Sequence, residues 1–346
     1  MHINIASFYK LVAVKCLTDK AGNVVFDING QPIETGETRE LTNWFPNKLL
    51  NNGRNRMGEY SDWLNCCQVG VDNTNPTNDD TALLGWFNGT STIEETQSGA
   101  QTSAPYYGWK RRRYRFSVGT TAANLSEVGV GWGTTATSNL VSRALIVDID
   151  GNQTTVTPKA DEILDVWFEM RYYPPLADVT GQVTFNGELY NYTVRAARVT
   201  LDNWGDLIGQ RIGIWAPSTP GTNWRAADGN IGTILQAPNG NYANGTDAPT
   251  NQNYSLNSYQ TIMHLGVASA GFNLTGGFRS IHILTTAGEY QTEFSRVSDG
   301  EKVQKTVDST MNLGWVISWS ELAKFPLGTV AGTYNITGAD ANLTQI

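Results

Sequence analysis

Residues 161 to 173, DEILDVWFEMRYY, alone carry an unbroken two-residue period long enough to fix a strand and its faces. Successive side chains of an extended chain point to opposite sides. Leu164, Val166, Phe168 and Met170 therefore fall on one face, and Asp165, Trp167, Glu169 and Arg171 on the other. A helix would need apolar residues at i, i+3, i+4 and i+7, a template that carries Asp165, Glu169 and Arg171 into the core. The stretch reads as a strand with one buried and one wet face. Pro174 and Pro175 end it, since proline has no N–H to give to a ladder.

Around this strand lie 346 residues, more than a typical single domain, and two domains are expected. Charged residues make up 16%, against a usual share of roughly 25%. Gly, Asn, Thr and aromatics take up the difference, a mixture suited to strands joined by tight turns. With 24 basic and 32 acidic residues the net charge is -8, which disfavours a broad grip on phosphate backbones. Nucleic acid is not an expected partner. Cys16, Cys66 and Cys67 cannot form a disulfide framework, and adjacent cysteines bridge only with strain, so assembly in a reducing cytoplasm is expected. MHINIASFYKLVAV lacks the features of a secretory signal. No apolar run reaches the length of about 18 residues that a membrane-spanning helix needs, so no membrane insertion is expected.

In chain order, residues 1 to 35 read as an extended N-terminal segment with two short strands and turns at Lys20 to Asn23 and at Asn29-Gly30. LTNWFPNKLLNNGRNRMGEYSDWLN places its apolar residues irregularly, and Asn52-Gly53 interrupts it, which predicts a short helical turn or two inside a loop. CCQVGV, 66 to 71, fits a buried strand. GWKRRRYRFSVG, 108 to 119, puts Tyr114, Phe116 and Val118 on one face and Arg111, Arg113 and Arg115 on the other. That basic face is either an anion or glycan-phosphate patch or, the preferred reading, a solvated face pairing with carboxylates such as Asp165 and Glu169. LSEVGVGWG and LVSRALIVD continue the succession of strand, turn and strand, which points to an antiparallel sandwich. A first domain at 36–175 closes near the proline pair. Beyond it, VTFNGELYNYTV carries Asn186-Gly187 at the centre of a type I′ hairpin turn. Residues 202 to 262 read as long loops. Segments 278 to 286 and 290 to 297 fit strands, and in MNLGWVISWSEL the residues Leu313, Trp315, Ile317 and Trp319 share a face. The second domain spans 176–327, and 328–346 form a polar C-terminal tail. No internal repeat is assigned.

For chemistry the chain offers three histidines, His2, His264 and His282, and no motif that frames a nucleophile or a zinc site. His282, between Ile281 and Ile283, reads as an ordinary strand side chain. DIDGN, 148 to 152, resembles the start of a calcium loop, but QTTVTPK follows where acidic ligands belong, so a β-turn is expected. Asp161, Glu162, Asp165 and Glu169 could supply paired carboxylates for glycoside hydrolysis, yet they also complete a regular polar strand face. Trp204, Trp215, Trp224, Tyr242, Tyr254 and Tyr259 sit in or beside loop-like sequence. They either present planes for sugar rings or plug the ends of the sandwich. No residue is assigned a catalytic, cofactor-binding or metal-binding role, and neither an enzyme nor a cofactor is expected.

CCQVGVDNTNPTNDDTAL, LSEVGVGWG, LVSRALIVDIDGNQTTVTPKADEILDVWFEMRYYPP and TGQVTFNGELYNYTVRAARVT together resemble structural tail or tail-fibre-associated proteins of tailed bacteriophages. The similarity covers roughly residues 60 to 200, with a weaker echo at EFSRVSDGEKVQKTVDSTMNLGWVISW. The resemblance implies a virion component, assembled in the host cytoplasm, with no cofactor and no active-site residue to carry over.

The expectation is thus an all-β chain of two antiparallel β-sandwich-like domains with long loops and little helix. Its expected role is a structural component of a tailed-phage virion, in the tail, a fibre, or a baseplate or collar attachment. The alternative is a receptor- or carbohydrate-binding module that meets a host surface glycan through residues 202 to 262. Expected partners are other virion tail proteins and further copies of the chain in a homo-oligomer, a trimer if it belongs to a fibre, because open strand edges need covering.

Overall fold

The computed structural model describes residues 1–148, 150–201, 203–213, 224–245, 250–267, 271–305 and 310–322. Among these the chain is all-β with little helix. In order, it forms strands β1 (His2–Cys16), β2 (Glu34–Glu40), β3 (Phe45–Pro46) and β4 (Lys48–Leu49), helix α1 (Asn51–Glu59), then β5 (Cys66–Gly70), β6 (Trp86–Thr90), β7 (Ile93–Ala100), β8 (Gly108–Phe116), β9 (Glu127–Gly131), β10 (Leu140–Leu145) and β11 (Glu162–Tyr173). There follow β12 (Val179–Phe185), β13 (Glu188–Ala197), the single turn α2 (Asn203–Asp206), β14 (Trp224–Ala227), β15 (Tyr242–Asn244), β16 (Thr250–Asn251), β17 (Gln260–Val267), β18 (Ser280–Thr285), β19 (Gly288–Arg296) and β20 (Met311–Glu321). No helix among the described residues is long and apolar enough to cross a membrane.

The chain divides into two compact units. The first consists mainly of Ile5–Ser98 and Trp109–Arg171; the second consists of Met1–Asn4, Gly99–Gly108 and Tyr172–Ser320.

In the first unit, β4, β10, β9, β5 and β6 lie side by side in an antiparallel sheet. A second row runs β1, β11, β8, β7, with β2 and β3 antiparallel to β1. The inward faces share a core. Tyr9 of β1 packs on Phe168 of β11 at 5.2 Å between ring centroids, and its hydroxyl meets Ser142 Oγ of β10 at 2.7 Å. CCQVG is buried at every position, as its apolar character predicts.

Two expectations fail here for physical reasons. Only Trp167 of β11 is even partly exposed: Asp165, Glu169 and Arg171 are at most 2% exposed, so the expected wet face is covered. Polar alternation marks a solvated face only when the polar groups find water, and these find each other. Secondly, Asn52-Gly53 does not break the segment around it but lies inside the nine-residue α1. A side-chain carbon on Gly53 would stand 2.4 Å from the Val141 carbonyl oxygen, so glycine is there to let β10 approach.

The structure also brings out a short internal repeat. LTDKAGNV at 17 to 24, VFDINGQP at 25 to 32 and the octapeptide at 146 to 153 share an Asp at the third position and a Gly at the sixth. In each, one Asp oxygen accepts two backbone N–H groups: Asp19 from Ala21 and Asn23, Asp27 from Asn29 and Gln31, Asp148 from Asp150 and Asn152, all at 2.8 to 2.9 Å. The DIDGN stretch is thus a turn, as expected. The first two copies close a ring: the Leu17 N–H donates to the Ile33 carbonyl, Ile33 to Val25, and Val25 to Leu17, at 2.7, 3.0 and 2.8 Å.

In the second unit, β12, β13, β19, β18, β14 and β15 form one antiparallel sheet, and β16, β17 and β20 lie side by side. The hairpin at Asn186-Gly187 is present, with φ of 50° and 79° and Phe185 opposite Glu188. Leu313, Trp315, Ile317 and Trp319 are all buried on one face of β20. Rings carry the core: Trp224 to Phe272, Phe272 to Phe278 and Phe278 to Phe294 stand 5.0, 5.7 and 6.0 Å apart. The tail predicted at 328–346 lies outside the described residues.

Candidate functional site

The densest gathering of charged and aromatic side chains is the face of β8 and β11 that the sequence presents as polar. Alternation along β8 puts Trp109, Arg111, Arg113 and Arg115 on this face, and alternation along β11 adds Asp165, Trp167 and Glu169. Arg111 Nε donates to Glu169 Oε2 at 2.9 Å, and Arg171 Nε donates to the other Glu169 oxygen at 2.8 Å. Arg115 forks onto Asp165 through Nε and Nη2 at 2.8 and 2.7 Å, and Arg113 Nη1 reaches the same carboxylate at 3.0 Å. The predicted pairing of the β8 arginines with Asp165 and Glu169 is therefore correct, while the predicted solvation is not. Each buried carboxylate lies between two guanidinium groups, so its charge stays compensated without water. The hydrogen bond from Arg115 to Asp165 raises the pKa of that guanidinium further.

Three tryptophans border these pairs. The Arg111 guanidinium carbon sits 5.4 Å from the Trp44 ring centroid and 5.3 Å from that of Trp109, and Arg113 lies 5.5 Å from the Trp167 ring. These cation–π contacts hold the ring planes in place. Sequence reading passes over Trp44 and Trp109. Period two alone would have put Trp109 beside the arginines.

Elsewhere the remaining candidates are dispersed. Glu162 is held by Arg39, whose Nη2 is 2.6 Å away. Burial alone would raise its pKa, and the Arg39 hydrogen bond, the Lys159 backbone N–H bond and the nearby positive charge together outweigh this to hold it below the ordinary value. Glu162, Asp165 and Glu169 thus each serve a different arginine set and do not face one another as an acid and a nucleophile. His2 bonds to Ser318 and Ser320 through its two ring nitrogens, both at 2.9 Å. His264 is exposed on β17. His282 is buried and meets Glu289 at 2.8 Å, a carboxylate that Arg198 also clamps at 2.6 and 2.7 Å. No group of three or more His, Cys, Asp or Glu side chains suited to a metal occurs among the described residues.

The loop aromatics do not form one surface. Trp204 and Trp224 are buried, Tyr254 stacks on Trp319 at 5.8 Å, and exposed Tyr242 lies under the Arg225 guanidinium at 4.1 Å. Trp215 lies outside the described residues. The second unit also holds an open apolar cleft of about 370 Å³, lined in part by Val183, Phe185, Tyr192, Phe294 and Trp315. Compared with protein-family models, with curated proteins and with solved structures, the chain matches none.

Proposed function

We propose that the chain is a structural component of a tailed-phage virion, placed in the tail, a fibre, or a baseplate or collar attachment. The observation that supports a load-carrying role is the way charges are used inside the sheets. Arg111, Glu169 and Arg171 tie β8 to β11, and Arg143 ties β10 to β9 through Glu127, with both partners of that last pair unexposed. Such pairs are costly to break singly, and they fix strand register rather than leave a reactive group at a cleft. Resemblance of residues 60 to 200 to tail-associated proteins supplies the assembly. Partners in this reading are other tail proteins and further copies of the chain, which cover open strand edges.

Mass spectrometry of purified particles, together with light scattering of the purified chain, tests the proposal. Peptides of the chain in the particles and concentration-dependent assembly are expected. A chain that is absent from particles and stays monomeric at high concentration overturns it.

A further inference from the structure

We infer that the outer face of β8 and β11 is a binding site for an uncharged carbohydrate, with Trp44, Trp109 and Trp167 as its stacking planes. The inference goes beyond the structural role and does not depend on it. Three features of the face carry it. All three indoles are partly exposed, and each is held against an arginine that is itself anchored to a buried carboxylate. A plane fixed before binding loses little freedom on binding. Among the described residues, the indole N–H groups of these three side chains have no hydrogen-bond partner in the protein, yet they are not sealed from solvent. Trp86 and Trp315, by contrast, donate to Thr134 O and Thr292 Oγ1.

The third feature is charge. Arg111, Arg113, Arg115 and Arg171 are met by Glu34, Glu95, Asp165 and Glu169 within the face itself. Among the described residues of this face, no arginine is left over for a phosphate, a sulfate or a uronic acid. What the face does offer is apolar ring surface and free indole donors. A pyranose has the matching chemistry: an apolar face of C–H groups for the aromatic planes and a rim of hydroxyls that accept from planar donors.

A glycan array of uncharged glucans, mannans and galactans, set beside polygalacturonate as the acidic comparator, tests this on the full chain. Hits are then titrated by following tryptophan fluorescence. At least one uncharged glycan should be retained, and Trp109→Ala and Trp167→Ala should each weaken it by about tenfold or more, as loss of a central aromatic anchor does. Trp86→Ala, which removes an exposed indole on β6, should leave the affinity unchanged, and Trp109→Tyr should keep most of it. If an alanine variant unfolds, the wild-type protein still decides: bound glycan must shield Trp109 and Trp167 from oxidation by N-bromosuccinimide, read by peptide mass spectrometry. Retention of no uncharged glycan, retention of polygalacturonate alone, affinity that survives both alanine substitutions, or unshielded indoles would each overturn the site.

Discussion

Arg143 and Glu127 meet inside the five-stranded sheet of the first unit, Nε to Oε2 at 2.7 Å, with neither side chain exposed. Arg143 also donates to Asp80 at 2.7 Å and to the Thr74 carbonyl at 2.9 Å, while Glu127 accepts the Gly85 N–H at 2.7 Å. One pair thus joins two strands and the loop between β5 and β6. Glu127→Ala leaves a buried guanidinium without its main partner and should cost about 3 to 5 kcal/mol, whereas Glu127→Leu with Arg143→Met should recover much of that loss. Denaturant unfolding of the three proteins is the check. A single variant that loses no more than a surface substitution would show that the pair is dispensable.

On β11 the two faces should prove equally sensitive. Phe168→Ala empties a site in the core and should cost about 3 to 5 kcal/mol. Sequence alone would make Glu169→Ala nearly silent. Because Glu169 is fully buried between Arg111 and Arg171, its loss should cost a similar amount, about 3 to 5 kcal/mol. Urea midpoints decide between the two readings.

The hairpin offers a cleaner test of backbone strain. Gly187 has φ of 79°, and nothing lies within 4 Å of the position a side-chain carbon would take. Any penalty for substitution is therefore conformational and not a clash. Asn186→Val with Gly187→Val should destabilise the second unit by about 2 kcal/mol or more, from about 1 to 3 kcal/mol per strained residue. An unchanged melting temperature would count against this.

Acid should loosen the second unit through Glu289. Burial alone would raise its pKa, but hydrogen bonds and charge from His282 and Arg198 hold it below the ordinary glutamate value of 4.5. A carboxyl depressed in the folded state contributes stability that is present above its unfolded pKa and is lost as pH falls through the folded one. Melting temperature should therefore hold between pH 7 and about 5 and fall below about 4.5. Glu289→Gln should be less stable at neutral pH and show a shallower acid decline; an unaltered decline would assign the acid sensitivity to other carboxylates.

How much of this was legible depended on where each residue's partner lies. The turn at Asn186-Gly187, the apolar alternation of β20 and the buried CCQVG strand are determined by neighbours in sequence, and reading neighbours recovers them. The cover over Asp165 and Glu169 comes from β8, some fifty residues earlier. A polar period of two looks the same whether water or arginine lies above it. Gly53 resembles a breaker until Val141 is brought against it. Trp109 and Trp167 stand on strands, whereas Trp204 and Trp224, in loop-like sequence, prove to be core. The spacing of Asp and Gly in the octapeptides is written in the sequence, although the other positions vary.

The ring formed by Leu17, Val25 and Ile33 has a consequence for protein engineering. Leu17 and Ile33 stay hydrogen-bonded to each other, directly beside the Cys16–Glu34 pair that ends the β1–β2 ladder. The side chains between them are largely exposed, but Val24 packs back against Val14, Cys16 and Ile163. The turn tips at 20 to 22 and 28 to 30 could thus display a foreign peptide while Val24 keeps its packing, Val25 keeps the ring closed, and β1 and β2 keep their alignment.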